Sequence, residues 1–280
     1  MSDFKRVDIG GLTLGVRLWG DGPRCGVILH GFPDTADGMA PVAERLAAAG
    51  YTVAAPYLRG YAPSDLAPDG RYDIKALSRD VLELLKALDF KETCLIGHDW
   101  GAAVAYACAA QDVSRISKVV ALSVPPLRAF SSGLCRSPRQ WFQSRYMGLF
   151  QFGRLAEQRV AKDNFAYLDD LWSRWSPNLT PPPGHLDSVK SCLSAPGSLR
   201  AALSYYRALL PRPGSHWREN WQLANQDPRC PVHVMVGLED GCISPRMFDG
   251  VRFPVTFVPD AGHFLVLESP DVITEVCLQG

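Results

Sequence analysis

The sequence predicts an α/β fold class, a mostly parallel sheet covered by helices on both faces. Three observations carry the prediction. Short β-branched or apolar runs recur at residues 26–29, 52–55, 93–96, 119–122, 232–236 and 255–258. Helical patterns separate them, an alternation that builds parallel βα units. A chain of 280 residues, 47% of them hydrophobic, holds enough apolar material for one large core with an insertion.

The elements follow in order. Residues 4–19 read as a hairpin turned at Gly10-Gly11, which adds an antiparallel edge to the sheet. A helix over residues 39–49 is closed by Gly50, the residue type that tolerates the left-handed conformation past a helix end. The clearest helix spans residues 74–88: Ile74, Leu77, Val81, Leu84, Leu85 and Leu88 fall on one stripe behind a capping Asp73. Another helix is expected over residues 100–110. The βα rhythm stops after residues 122–126 and resumes at Cys230-Pro-Val232. The block between holds Trp141, Trp172, Trp175, Trp217, Trp221 and the loop Pro181-Pro-Pro-Gly184. It is too long for a connection and has no strand pattern, so it is expected to be a helical cap inserted into the sheet domain. The expected division is a core of residues 1–125 and 226–280 with a cap of residues 126–225.

Composition removes several function classes. Lys+Arg and Asp+Glu both number 29, so no net charge draws the chain to nucleic acid or an anionic surface. The start, MSDFKRVDIGG, has no apolar segment of signal-peptide type, and no run of about 18 apolar residues occurs. Neither secretion nor a membrane span is expected, and a cytoplasmic location follows by default. The eight cysteines (Cys25, Cys94, Cys108, Cys135, Cys192, Cys230, Cys242, Cys277) form no C-x-x-C pair and stand near no histidine at metal spacing. They read as reduced packing residues, and neither metal nor cofactor is expected.

In open α/β sheets ligands sit at the carboxyl ends of the strands. Four chemistry-bearing positions follow strands here: His30-Gly-Phe-Pro33, Asp99, Asp240 and His263. Asp99 lies in Gly97-His-Asp-Trp-Gly101, where small residues mark a strained strand-to-helix elbow that elsewhere presents a nucleophilic serine. Aspartate is also a favoured helix N-cap, but a cap does not require flanking glycines. The chain order of nucleophile, acid and histidine matches that of hydrolases with such an elbow. Backbone N–H groups of Phe32 and Trp100 are placed to form an oxyanion hole.

His30-Gly-Phe-Pro33, Arg59-Gly-Tyr-Ala-Pro-Ser-Asp65, Gly97-His-Asp-Trp-Gly101 and Gly262-His-Phe264 together resemble the epoxide hydrolases of the α/β-hydrolase fold. The resemblance implies that Asp99 is the nucleophile, and chemistry supplies the reason. A serine that opened an epoxide would be left as an ether with no carbonyl for water to attack, whereas a carboxylate forms an ester that water can hydrolyse. His263 is then the base for that water, and Asp240 holds its imidazole. The resemblance further implies two cap tyrosines that protonate the departing alkoxide. Leu203-Ser-Tyr-Tyr-Arg207 aligns Tyr206 and Tyr146-Met-Gly-Leu-Phe-Gln151 aligns Tyr146 with them. Tyr205 and Tyr206 point about 100° apart on a helix, so only one faces the pocket. His30, Pro33, Trp141, Phe150 and Phe152 are candidate pocket residues; His98 is expected to turn away from Asp99, and His185, His216 and His233 carry no assigned role.

The sequence departs from the resembled family at Tyr57, where an aspartate is usual, and in Asp34-Thr-Ala-Asp-Gly38, where an aromatic is usual. Both bear on pocket shape. A haloalkane dehalogenase would use the same Asp, His and acid, but Phe32 replaces its usual Asn and the tyrosines would be idle. A fluoroacetate dehalogenase would want an arginine where Trp100 stands, and a non-catalytic ligand binder would not need every one of these groups. The expected reactants are a small apolar epoxide and water. The identity of the epoxide, the oligomeric state (a homodimer included) and a detoxifying, biosynthetic or catabolic role are left open.

Overall fold

Eight strands form one sheet in the order β1-β2-β4-β3-β5-β6-β7-β8 in a computed structural model that describes residues 2–134 and 137–279. They are β1 Asp3–Asp8, β2 Thr13–Trp19, β3 Arg24–Leu29, β4 Tyr51–Pro56, β5 Thr93–His98, β6 Ile116–Leu122, β7 Val232–Gly237 and β8 Val255–Val258. The first two pair antiparallel as the expected hairpin, and every pair from β3 and β4 onward is parallel. The register sets Leu29 beside Gly97 and His98 beside Leu122, so the loops leaving β3, β5 and β6 emerge side by side. The six predicted strands all form, and the central ones are buried along almost their whole length, as strands covered on both faces must be.

Helices α1 Ala40–Ala48, α2 Ile74–Ala87 and α3 Trp100–Gln111 cover the sheet. A short 3-10 turn, Ala36–Met39, precedes α1, so the predicted helix begins one residue late. In α2 the side chain of Asp73 accepts the Ala76 N–H at 3.1 Å, as a cap should. Ile74, Leu77, Val81, Leu84 and Leu85 are buried on its inner stripe, each contributing on the order of 2 kcal/mol relative to exposure.

Between β6 and β7 the described residues contain helices only: α4 Leu127–Leu134, α5 Pro138–Gln143, α6 Arg145–Leu149, α7 Arg154–Trp175, α8 His185–Ser194, α9 Ser198–Arg207 and α10 Trp217–Ala224. The helical run of α7 is interrupted at Asp163, Asn164 and Phe165, which have left-handed backbone angles. Helices α11 Leu265–Glu268 and α12 Pro270–Leu278 close the chain against α1. Among the described residues no helix is long and apolar enough to cross a membrane. Seven of the cysteines carry free thiols; Cys135 lies outside the described residues.

Candidate active site

The site starts at the end of β5. Asp99 has φ 51° and ψ −116°, a conformation that costs an L residue about 1–3 kcal/mol and that the surroundings must enforce. Its side chain makes no capping bond to α3. The capping alternative therefore fails: the carboxylate turns instead toward the loop after β3, where the Phe32 N–H donates to Oδ1 at 2.8 Å. Two close approaches allow this. A Cβ on Gly101 would lie 2.2 Å from the Leu29 carbonyl oxygen, and one on Gly31 would lie 2.4 Å from Asp99 Oδ1.

Asp99 is only 5% exposed. Burial pushes its carboxyl above the usual carboxylate range, while His263 and the N–H groups of Phe32 and Trp100 pull it back. The two oxygens have different surroundings. Oδ1 takes the Phe32 N–H, and Oδ2 faces His263 Nε2 at 3.8 Å, beyond hydrogen-bond reach.

His263 follows β8 and is fully buried. Its Nδ1 lies 3.0 Å from Asp240 Oδ2, and its Nε2 has no hydrogen-bond partner. Asp240 follows β7, and its other oxygen accepts the N–H groups of Cys242 (2.7 Å) and Ile243 (2.8 Å). With an acceptor fixed in this way, Nδ1 carries the proton and Nε2 presents a lone pair. Burial pushes the imidazole pKa down, but the charge and hydrogen bond of Asp240 and the charge of Asp99 outweigh it, and the net shift is upward.

The backbone of His263 is fixed as firmly as its ring. Its N–H donates to the Trp175 carbonyl at 3.0 Å, and its carbonyl accepts from Ser123 Oγ (2.7 Å) and His98 Nε2 (2.8 Å). His98 thus points away from Asp99, as expected. The Trp175 ring packs edge-on against the imidazole at 5.1 Å, and Trp172 stacks on Phe264 at 3.5 Å while donating to the Pro33 carbonyl. Trp172 and Trp175 therefore clamp the His263 loop, which their sequence positions alone do not indicate.

Tyr206 and Tyr146 approach from α9 and α6, their rings 5.6 Å apart and nearly perpendicular. Tyr206 Oη is buried without a hydrogen-bond partner, although Trp100 and Tyr146 stand near enough to influence its charge. Tyr146 Oη lies 3.6 Å from Cys242 Sγ, a neighbour that nothing in the sequence pattern identifies. Burial holds both phenols protonated well above their ordinary pKa, with the Asp99 charge reinforcing the effect. Tyr205 points elsewhere and donates to the Arg59 carbonyl at 2.7 Å. Only Tyr206 of the pair reaches the cleft.

Asp99, Trp100, Tyr146 and Tyr206 meet in a largely apolar cleft enclosing roughly 730 Å³ including its mouth, with Pro125 and Ile243 among its walls. Several expected pocket residues do not line it. Trp141 and Phe152 are 63% and 65% exposed: Trp141 lies on the outer side of the short helix α5 and Phe152 in the turn between α6 and α7. Phe150 is buried behind the tyrosines, 5.1 Å from the Tyr206 ring. Pro33 lies under Trp172, and His30 is tied at both nitrogens: Nε2 accepts the Leu58 N–H and Nδ1 faces the Gly31 carbonyl, each at 3.0 Å. Burial keeps His30 neutral by lowering its pKa.

His185 had no assigned role, yet it sits on α8 with Nε2 3.1 Å from Asp34 Oδ1, both side chains buried. Nearby, Tyr57 Oη donates to Asp37 Oδ2 at 2.7 Å and Arg17 pairs with Oδ1 at 2.9 Å. The departure at Tyr57 thus meets a residue of the departing stretch, residues 34–38, and neither Tyr57 nor Asp37 lines the cleft.

The α/β hydrolase fold family model matches residues 27–270. The chain is 30% identical to the AB hydrolase superfamily protein YfhM of Bacillus subtilis over 98% of its own length and 96% of that protein. It is 27% identical to epoxide hydrolase A of Mycobacterium tuberculosis, over 98% and 96% of the two chains. The solved epoxide hydrolase of Bacillus megaterium shares the fold, with a TM-score of 0.79 at 24% identity across 98% of both chains. The chain belongs to the α/β hydrolase fold family.

Proposed function

We propose that this protein is an epoxide hydrolase that opens an epoxide to a vicinal diol through a covalent ester on Asp99. The observation that carries the reading is the pair of buried phenols, Tyr146 and Tyr206, on the same cleft as an elbow aspartate. The match to epoxide hydrolase A supports it. Residues 126–225 act as the cap that brings those phenols over the core.

Asp99 Oδ2, the oxygen not held by Phe32, attacks an epoxide carbon from behind the C–O bond. That bond breaks, and the departing oxygen takes a proton from Tyr206 or Tyr146, both kept protonated by burial. The product is an ester whose carbonyl oxygen is Oδ1, already seated on the Phe32 N–H. Water then attacks the ester carbon while His263 Nε2 takes its proton, and the negative charge develops on Oδ1 between the N–H groups of Phe32 and Trp100. Asp240 stabilises the resulting imidazolium. Collapse expels the diol oxygen, which takes the proton held by the imidazolium, and the carboxylic acid formed on Asp99 returns a proton to the tyrosinate, which restores carboxylate, imidazole and phenol.

The tyrosines favour an epoxide over a haloalkane, because a leaving alkoxide needs a proton that a leaving halide does not. A single turnover in ¹⁸O-labelled water tests the reading: label enters the Asp99 carboxylate rather than the diol. Label arriving first in the diol would exclude the ester. Faster halide release from 1-haloalkanes than diol formation from styrene oxide-like compounds would favour the dehalogenase.

A further inference from the structure

The cleft does not end at Asp99. Across Trp100 and Ala103 lies a second space of about 490 Å³, its open mouth included, between α10 and the α2–α3 pair. The two spaces share five wall residues: Trp100, Ala103, Leu127, Leu209 and Ala224. The two spaces therefore lie side by side, divided by this common wall.

The second chamber presents carbon throughout most of its wall. Tyr205 spends its hydroxyl on the Arg59 carbonyl. The Asn220 amide accepts from the Lys75 N–H at 2.9 Å and donates to the His216 carbonyl at 2.8 Å. Trp217 donates its indole N–H to the Leu209 carbonyl at 2.9 Å. With these groups engaged, what faces inward is Ile74, Ala208, Leu209 and two stacked indoles, Trp217 and Trp221, the latter 42% exposed at the outer edge. Neither chamber has a Lys or Arg on its wall among the described residues.

We infer that the second chamber is a subsite for an uncharged apolar tail, so the substrates are terminal epoxides carrying an unbranched alkyl chain that runs from Asp99 across Ala103 to the tryptophans. This deepens the epoxide hydrolase reading and rests on it. The inferred path crosses the shared wall where its side chains are smallest, at Ala103 and Ala224; the apolar wall supplies affinity through burial and offers no counter-ion to a carboxylate at the tail.

The test is kcat/KM for terminal epoxides from 1,2-epoxybutane to 1,2-epoxydodecane. It rises about fourfold for each methylene until the chamber is full and then levels. A flat series overturns the subsite while leaving the hydrolase reading intact. Ala208→Phe fills the chamber and lowers the long-to-short ratio at least tenfold; Trp221→Ala removes its outer wall and lowers the ratio without crowding, which guards against misfolding of the first variant. Unchanged ratios in both folded variants overturn the inference. No turnover of any member overturns the hydrolase reading, and calorimetry with 1-alkanols then judges the chamber: affinity that grows with chain length and falls in Ala208→Phe supports it, and affinity independent of length overturns it.

Discussion

His263 Nε2 stands 3.8 Å from Asp99 Oδ2 and bonds to nothing, while its Nδ1 is held 3.0 Å from Asp240. The gap is too long for a hydrogen bond, so the histidine does not tie up the oxygen that attacks. In the proposed mechanism its lone pair serves the second step, and the two steps can be separated by mutation.

Asp99→Asn removes the nucleophile and abolishes turnover. His263→Gln leaves the first step intact, so intact-protein mass spectrometry of that variant with substrate shows one stoichiometric adduct on the peptide holding Asp99. A His263→Gln protein that never gains mass contradicts this division of labour.

The rate of ester hydrolysis follows the neutral form of His263. Asp240 raises the imidazole pKa and keeps its charge after Asp99 is esterified, so the acid limb of the pH profile reports His263, and activity grows as pH rises through it. Asp240→Asn removes the leading upward influence, shifts the limb to lower pH and cuts kcat by about 10²–10⁴-fold, since the ring loses its fixed tautomer. A limb that stays in place in Asp240→Asn would separate that carboxylate from the histidine.

Tyr206→Phe or Tyr146→Phe slows ring opening by about 10²-fold and leaves ester hydrolysis unchanged. Stopped-flow fluorescence of the site tryptophans under single-turnover conditions resolves the two phases. Tyr205→Phe is the control: it deprives the Arg59 carbonyl of a donor and costs about 1 kcal/mol of stability, with no change in the first phase.

Gly31→Ala places a methyl 2.4 Å from Asp99 Oδ1 and pushes the carboxylate off the Phe32 N–H. A displacement of this size costs about 10²-fold in kcat. Its thermal midpoint, measured alongside, changes far less than its activity.

The His185–Asp34 pair joins α8 to the loop that carries Phe32. Burial lowers the His185 pKa, but the Asp34 carboxylate 3.1 Å away outweighs it, for a net upward shift. A raised pKa stabilises the fold by an amount fully present below about 6.5 and lost as pH rises through the folded value. His185→Ala therefore lowers the melting temperature at pH 6, by about 2 kcal/mol in stability, and much less at pH 9. Equal losses at both pH values would mean that the contact acts through packing alone.

Much of the architecture is legible in local sequence because local rules generate it. Alternating apolar runs and helical stripes give the strands and α2; Asp73 caps by the chemistry of its own side chain. Gly10-Gly11 makes the hairpin turn because glycine alone tolerates that backbone freely. Asp99 is conspicuous because an elbow needs glycines around it, and the ends of parallel strands converge wherever such a sheet forms.

The cap is different. Helix α5 has 6 residues, too short for periodicity to separate inner from outer faces, and Phe152 lies in the turn between α6 and α7, where no periodicity applies, so Trp141 and Phe152 read as pocket residues though they face solvent. That Trp175 braces His263, that Cys242 adjoins Tyr146 and that His185 meets Asp34 are contacts between residues 88, 96 and 151 positions apart. No local preference encodes such pairs. The sequence by itself determined the sheet and the elbow that presents Asp99; only the tertiary structure decided which side chains of the inserted helices stand beside it, because that depends on how helices pack onto a distant face.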